Sequence, residues 1–312
     1  MVAAATSTRT AARALPERGR PRYRGPMPTT RFAPSPTGLL HLGHAFSAGL
    51  ARHAAGPTGR FLLRIEDIDG SRCKPEFATG IEEDLAWLGL DWVHPVRRQS
   101  AHLADYQRAL DQLDGQGLLY PCFCTRKELE AAAGGHPDSP LSAPHGLGQV
   151  YPGTCRHLTA AERREKRARG LPHALRLDVT RAIGLTGPLV WRDLDQGEIE
   201  AEPWHLGDVV LARKDVPTSY HLAVTWDDAI QGVDLVTRGH DLFEATHLHR
   251  LLQALLDLPV PVWRHHRLLL DANGRRFAKR DKAPTLRALR QSGKSPSEVQ
   301  ALAGWAEFSA VP

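Results

Sequence analysis

The chain has 312 residues, enough to bury one large core or two smaller ones, and no stretch reaches the length of a membrane-spanning helix. Its net charge is +5, from 40 basic and 35 acidic residues. Six arginines and a single acid fall in residues 1–30, so the body carries 34 charges of each sign and overall basicity is no argument for a nucleic-acid partner.

Residues 1–29 are rich in Ala, Arg, Thr and Pro and lack apolar periodicity. They predict a disordered, dispensable extension, with translation starting at Met27. The extension is Arg-rich like a transit peptide but has no amphipathic helix, and no apolar leader directs secretion, so a cytoplasmic protein is expected. In residues 31–33 a strand ends, and Pro34, Pro36 and Gly38 forbid regular structure beyond it. Apolar residues at helical spacing then start a helix near His41. A strand, a Pro/Gly turn and a helix N-terminus form an anion site, where Gly43 permits close approach and His41 and His44 donate.

Residues 60–66 are an apolar run that predicts a buried parallel strand, and strand–helix–strand opens a dinucleotide-type fold. Glu66, Asp67 and Asp69 stand at that strand's C-terminal end, where such sheets bind ligands. Helical spacing returns in residues 77–88 and 102–113, with Trp87 and Trp92 as packing residues. Residues 131–148 are a long Gly/Ala/Pro/Ser loop, expected to be mobile. Residues 160–170 predict an arginine-rich helix, either a solvated face or an RNA contact. Strands are expected at residues 174–179, 207–212, 233–237 and 266–270, with a helix at 242–256. Residues 219–225 read as a helix or a buried strand. A basic run at residues 275–282 and two short helices, 284–291 and 296–303, follow.

Four cysteines without a secretory leader disfavour disulfides. Cys73 stands alone and reads as an ordinary thiol. Cys122, Cys124 and Cys155 are clustered and suggest a metal, with Tyr151, His157 or water as the fourth ligand.

The string Arg31-Phe32-Ala33-Pro34-Ser35-Pro36-Thr37-Gly38-Leu39-Leu40-His41-Leu42-Gly43-His44 resembles the HIGH region of class I aminoacyl-tRNA synthetases in its glutamyl form. Arg276-Phe277-Ala278-Lys279-Arg280 resembles the KMSKS loop, with Arg276 and Ala278 replacing the usual lysine and serine. The resemblance runs from about residue 30 to 284 and is greatest to the short glutamyl paralogues that act on queuosine in tRNA-Asp. It implies an α/β fold: a Rossmann-like parallel sheet split into residues 30–98 and 207–258, with an inserted zinc-bearing, acceptor-type lobe at 99–206. Residues 259–312 would hold the KMSKS-like loop and short helices, without the large helical anticodon-reading region of the longer enzymes.

The resemblance also implies site roles. Arg31, Phe32, Ala33, Pro34, Ser35, Glu66, Tyr220 and Arg238 would line a glutamate site. His41, Gly43, His44 and Lys279 would be catalytic, with His41, His44 and Lys279 on ATP. One structural Zn2+ per chain would sit on Cys122, Cys124, Tyr151 and Cys155, and Mg2+ would accompany ATP. The expected partners are L-glutamate, ATP and queuosine-bearing tRNA-Asp, with no membrane and no obligatory protein partner. The alternatives are a truncated conventional glutamyl-tRNA synthetase and a non-catalytic RNA-binding paralogue.

Overall fold

The computed structural model describes residues 27–132, 150–269 and 284–310. Residues 1–26 of the expected extension, most of the 131–148 loop and the whole Arg276–Lys279 stretch lie outside these residues; Thr29, expected to be disordered, is instead buried as the first residue of a strand. No helix among the described residues is long and apolar enough to cross a membrane.

The first half is β1 (Thr29–Phe32), α1 (Leu42–Ala55), β2 (Arg60–Ile65), α2 (Pro75–Trp87) and β3 (Val93–Arg98). The three strands form a parallel sheet in the order β1-β2-β3. Leu62, Leu63 and Ile65 are buried, which is why the run reads as continuously apolar. Trp87 and Trp92 pack against the core cluster beneath α1 and α2.

The chain then leaves this sheet through α3 (Leu103–Gly115), β4 (Leu119–Cys122), α4 (Arg126–Ala132), α5 (Ala160–Ala168), β5 (Ala174–Leu177) and α6 (Val179–Thr186). The arginine-rich α5 has no buried residue and is closed by a capping box between Thr159 and Glu162. It returns through β6 (Val190–Asp193), β7 (Gly197–Glu200), β8 (Val210–Ala212), α7 (Tyr220–Ile230), β9 (Leu235–Gly239), α8 (Phe243–Leu255) and β10 (Val262–His266). The chain ends in α9 (Leu286–Gln291), α10 (Pro296–Leu302) and a 3-10 turn.

Sheet membership departs from the expected boundaries. The second sheet runs β7-β6-β10-β9, so residues 190–200 pair with the returning half although they precede residue 207. Conversely, β8 joins the lobe sheet β4-β5-β8 through Leu175 and Arg176. The strand expected at residues 266–270 is instead β10, which ends at His266. Its register against β9 pairs Arg238 with His265, and the buried Val262 and Trp263 supply its apolar face. Residues 219–225 resolve as helix, with Ser219 as the cap that accepts from the Leu222 amide.

The first sheet and the second, which is parallel except for the antiparallel edge strand β7, meet at β1 and β9. The Thr29 amide donates to Asp234 (2.7 Å), and the Asp234 amide donates to the Thr29 carbonyl (3.2 Å). Strand order reverses there, and the C-terminal ends of β1, β2 and β9 open towards one crevice, the switch point at which such sheets bind ligands. The C-terminal segment returns to the same edge: Thr285 bridges to His41, and the Leu286 amide donates to the Leu40 carbonyl (2.9 Å).

Candidate active site

A cavity of about 450 Å³ fills this crevice. All eight residues expected around glutamate line it: Arg31, Phe32, Ala33, Pro34, Ser35, Glu66, Tyr220 and Arg238. His44 lines it too, whereas His41 and Gly43 stand beside it in the first turn of α1. The turn after β1 is drawn over the end of β2 by the Glu66 amide, which donates to the Pro34 carbonyl (3.1 Å).

The two histidines cap α1 reciprocally. His41 Nδ1 accepts from the Gly43 amide (3.1 Å), and His44 Nδ1 accepts from the His41 amide (3.2 Å). Both rings therefore carry their protons on Nε2, as donors. They stand 3.8 Å apart between centroids at a helix N-terminus, which suits an anionic ligand.

The floor is a buried charge cluster. Arg31 Nε donates to Asp228 Oδ1 (3.0 Å), Arg31 Nη1 to the Thr237 carbonyl (3.0 Å), and Arg64 Nη2 to the same Asp228 oxygen. Burial alone would raise the Asp228 carboxyl, but Arg31 and Arg64 together hold it below the usual range. Glu66 Oε1 is buried, has no hydrogen-bond partner among the described residues, and lies 3.8 Å from Arg64 Nε. Burial lifts the Glu66 carboxyl to about 7, against the pull of Arg64 and Arg31. An enclosed acceptor with no donor at a cavity wall fits a ligand that brings an N–H.

Arg238 forms the opposite wall. It donates to His265, His249 and Thr246 and also meets Tyr220, and no carboxylate is within ion-pair distance among the described residues. Three guanidinium groups thus face two carboxylates across the site, Asp228 and Glu66. The surplus is positive, and it suits a substrate with one more carboxylate than ammonium.

Sequence reading missed Arg64 and Asp228. An arginine inside an apolar strand run and the acid pair Asp227-Asp228 in an otherwise apolar helix were the available signals. Asp227 turns the other way, accepting from Arg97 (2.9 Å), Gln99 (2.9 Å) and Tyr106 (2.9 Å), and so ties α7 to the segment that enters the lobe.

In the lobe, the sulfurs of Cys122, Cys124 and Cys155 lie within 4.8 Å of one another. Tyr151 Oη is 3.5 Å from Cys122 Sγ and 3.6 Å from Cys124 Sγ, and Cys124 Sγ is 3.5 Å from Cys155 Sγ. A tetrahedral cation with usual zinc bond lengths would set S···S edges of ~3.8 Å and S···O edges of ~3.5 Å, so the donor set fits Zn2+. Tyr151 Oη is the oxygen that stands beside the three sulfurs. Its Oη already accepts from the Cys155 amide (2.7 Å), and the Arg176 guanidinium lies 3.8 Å from its ring centroid. Both contacts favour negative charge on the phenol oxygen.

Residues 28–303 match the family model described as tRNA synthetases class I (E and Q), catalytic domain. A protein from Rhodobacter capsulatus named Glutamyl-Q tRNA(Asp) synthetase is 49% identical over 281 residues, covering 88% of this chain and 99% of that protein. A protein of the same name from Nocardia farcinica is 45% identical, covering 87% of this chain and 82% of its own length. The solved glutamate-tRNA synthetase of Elizabethkingia anophelis superposes with a TM-score of 0.69 at 28% identity, over 82% of this chain but only 53% of that one. On the matched family model and these identities, the chain belongs to the class I tRNA synthetases of the E and Q group and carries their catalytic domain.

Proposed function

We propose that the chain activates L-glutamate with ATP and transfers it to queuosine in the anticodon loop of tRNA-Asp. The observation that carries the amino-acid choice is the positive surplus of the cavity: among the described residues no acid lies within ion-pair distance of Arg238, and Glu66 Oε1 accepts no hydrogen bond. Arg31 and Arg238 take the side-chain carboxylate, while Glu66 and Tyr220 hold the ammonium end. One oxygen of the α-carboxylate attacks the α-phosphorus of ATP and the bond to pyrophosphate breaks, giving glutamyl-adenylate. A hydroxyl of the queuosine diol then attacks the carbonyl carbon, and AMP leaves. No protein nucleophile is needed; positioning and charge stabilisation suffice. His41 and His44 donate to phosphate oxygens, Gly43 admits them closely, and Lys279 meets the charge that develops on pyrophosphate. Mg2+ supplies further neutralisation of the triphosphate when bound with it.

The acceptor rests on the relatives named for it, at 49% and 45% identity. ATP–pyrophosphate exchange with glutamate, glutamine and aspartate tests the first step. For the second, labelled glutamate is expected in queuosine-containing tRNA-Asp and not in the unmodified transcript, and nuclease digestion should map it to the modified nucleotide. Label on the terminal adenosine of tRNA-Glu would instead identify a conventional charging enzyme.

Two further expectations follow from the same reading. Glu66, at about 7, must be ionised to receive an ammonium, so a proton competes with substrate. The KM for glutamate should climb as pH falls below 7, by up to about tenfold per pH unit. Glu66→Gln should raise KM and remove that slope, and an unaltered slope in the variant would take Glu66 out of the role. In the lobe, Cys122, Cys124, Tyr151 and Cys155 would hold one structural Zn2+ per chain, which cross-links β4 to the segment before α5. Elemental analysis should find one zinc per chain, and Cys122→Ser should lose it together with thermal stability. Metal-free protein that melts at the wild-type temperature would refute the site.

A further inference from the structure

Arg238 is only 6% exposed, and an enclosed guanidinium ordinarily faces a carboxylate. This one faces neutral acceptors. Nε donates to His265 Nε2 (3.2 Å), Nη1 to His249 Nδ1 (3.1 Å) and Nη2 to Thr246 Oγ1. An N–H cannot donate to another N–H, so both imidazoles must present a bare nitrogen to Arg238. His265 does so because its other nitrogen is committed: Nδ1–H donates to Asp193 Oδ2 (2.7 Å), which also accepts from the His265 amide (3.1 Å). His249 does so by donating its Nε2–H to His221 Nδ1 (3.1 Å). The side chains of Asp193 and His265 are wholly enclosed, on adjacent strands of the second sheet, and neither lines the cavity. Burial holds His265 down to about 4 and His249 well below its usual value, in keeping with two neutral rings.

We propose that Asp193 and His265 are positioning residues of the amino-acid site: Asp193 selects the His265 tautomer whose bare Nε2 receives Arg238, so that Arg238 lies buried with its charge left for a substrate carboxylate. This rests on the reading of Arg238 as the glutamate partner. The arrangement does two things at once. It fixes the plane of the guanidinium from behind, and it keeps Asp193 two bonds removed, too far to serve as the counterion itself. An acid placed directly on Arg238 would give the same rigidity and cancel the attraction for an anion.

A merely structural dyad, tying β6 to β10, would alter stability without separating the two substrates. The test uses the full chain and pyrophosphate exchange with glutamate and ATP varied independently. His265→Leu and Asp193→Asn should raise the KM for glutamate by about tenfold or more, with kcat and the KM for ATP within about threefold of wild type. His265→Gln, whose amide oxygen can accept where Nε2 did, should recover the glutamate KM to within about threefold. The second readout needs no substrate: ring 15N shifts of the wild type should put the His265 proton on Nδ1. A proton on Nε2 overturns the proposal, as does a parallel rise in both KM values, or no rescue by glutamine in a folded variant. Wild-type protein that exchanges no label with glutamate would overturn the substrate reading instead, and the 15N shifts would still decide whether Asp193 sets the tautomer.

Discussion

Arg238→Leu is expected to reduce kcat/KM for glutamate in pyrophosphate exchange by about a thousandfold, the effect of removing one partner of an enclosed ion pair worth roughly 3–5 kcal/mol. The reason lies in how the guanidinium is used. Of its five N–H groups, three are taken up by His265, His249 and Thr246, leaving one on each Nη for Tyr220 and for a ligand. Arg238→Lys should recover little, because one ammonium cannot meet three fixed acceptors and a carboxylate together. Glutamine should be a poor substrate of the wild type, since an uncharged amide leaves the buried cation unanswered. Exchange kinetics with glutamate and glutamine on wild type and both variants check this. An Arg238→Leu protein that keeps the wild-type KM for glutamate would remove Arg238 from the site.

The parts of this site that were legible in the sequence are those in which local chemistry is concentrated. Arg31 to His44 packs a strand end, two prolines, two glycines and a helix start into fourteen residues, and each constrains the backbone whatever surrounds it. The cysteines were legible for a similar reason, because three of the four cluster in the sequence at ligand-like spacing. The Asp193–His265–Arg238 chain was not. Asp193 and His265 are 72 residues apart and meet only because β6 and β10 become neighbours. The β6–β7 hairpin itself escaped notice because its residues, such as Arg192, Asp193, Glu198 and Glu200, are polar and do not alternate cleanly. The last strand was misplaced because Leu268, Leu269 and Leu270 carry the obvious apolar run. The structure instead pairs Val262 to His266 with β9, directly behind two prolines, Pro259 and Pro261. Arg64 was passed over because an apolar run is read by its majority, yet the arginine in the middle of it faces Asp228.

Asp228→Asn, beneath the cavity wall, should produce a large loss of stability. Asp228 Oδ1 is shared by Arg31 and Arg64, all three side chains are less than a tenth exposed, and the cluster sits between β1, β2 and α7. An asparagine keeps the shape and one acceptor but removes the carboxylate that both enclosed guanidiniums share, leaving Arg64 with the more distant charges of Asp227 and Glu66. Uncompensated charge of this kind costs about 3–5 kcal/mol, which for a chain of this size corresponds to a fall in Tm of roughly 10 °C. The pH dependence gives the sign. The folded Asp228 carboxyl lies below its usual value, so its contribution is present above that value and is lost only as acid protonates it in the folded state. Wild type and variant should therefore differ most near neutrality and converge below about pH 4. Adding Arg64→Met to Asp228→Asn removes one of the stranded cations and should restore part of the Tm, so the two changes together cost less than their sum. Thermal melts of wild type, both single variants and the double variant between pH 3 and pH 8 supply the whole cycle. Strict additivity, or an Asp228→Asn protein within about 2 °C of wild type at neutral pH, would mean that the three side chains do not act as one charge cluster.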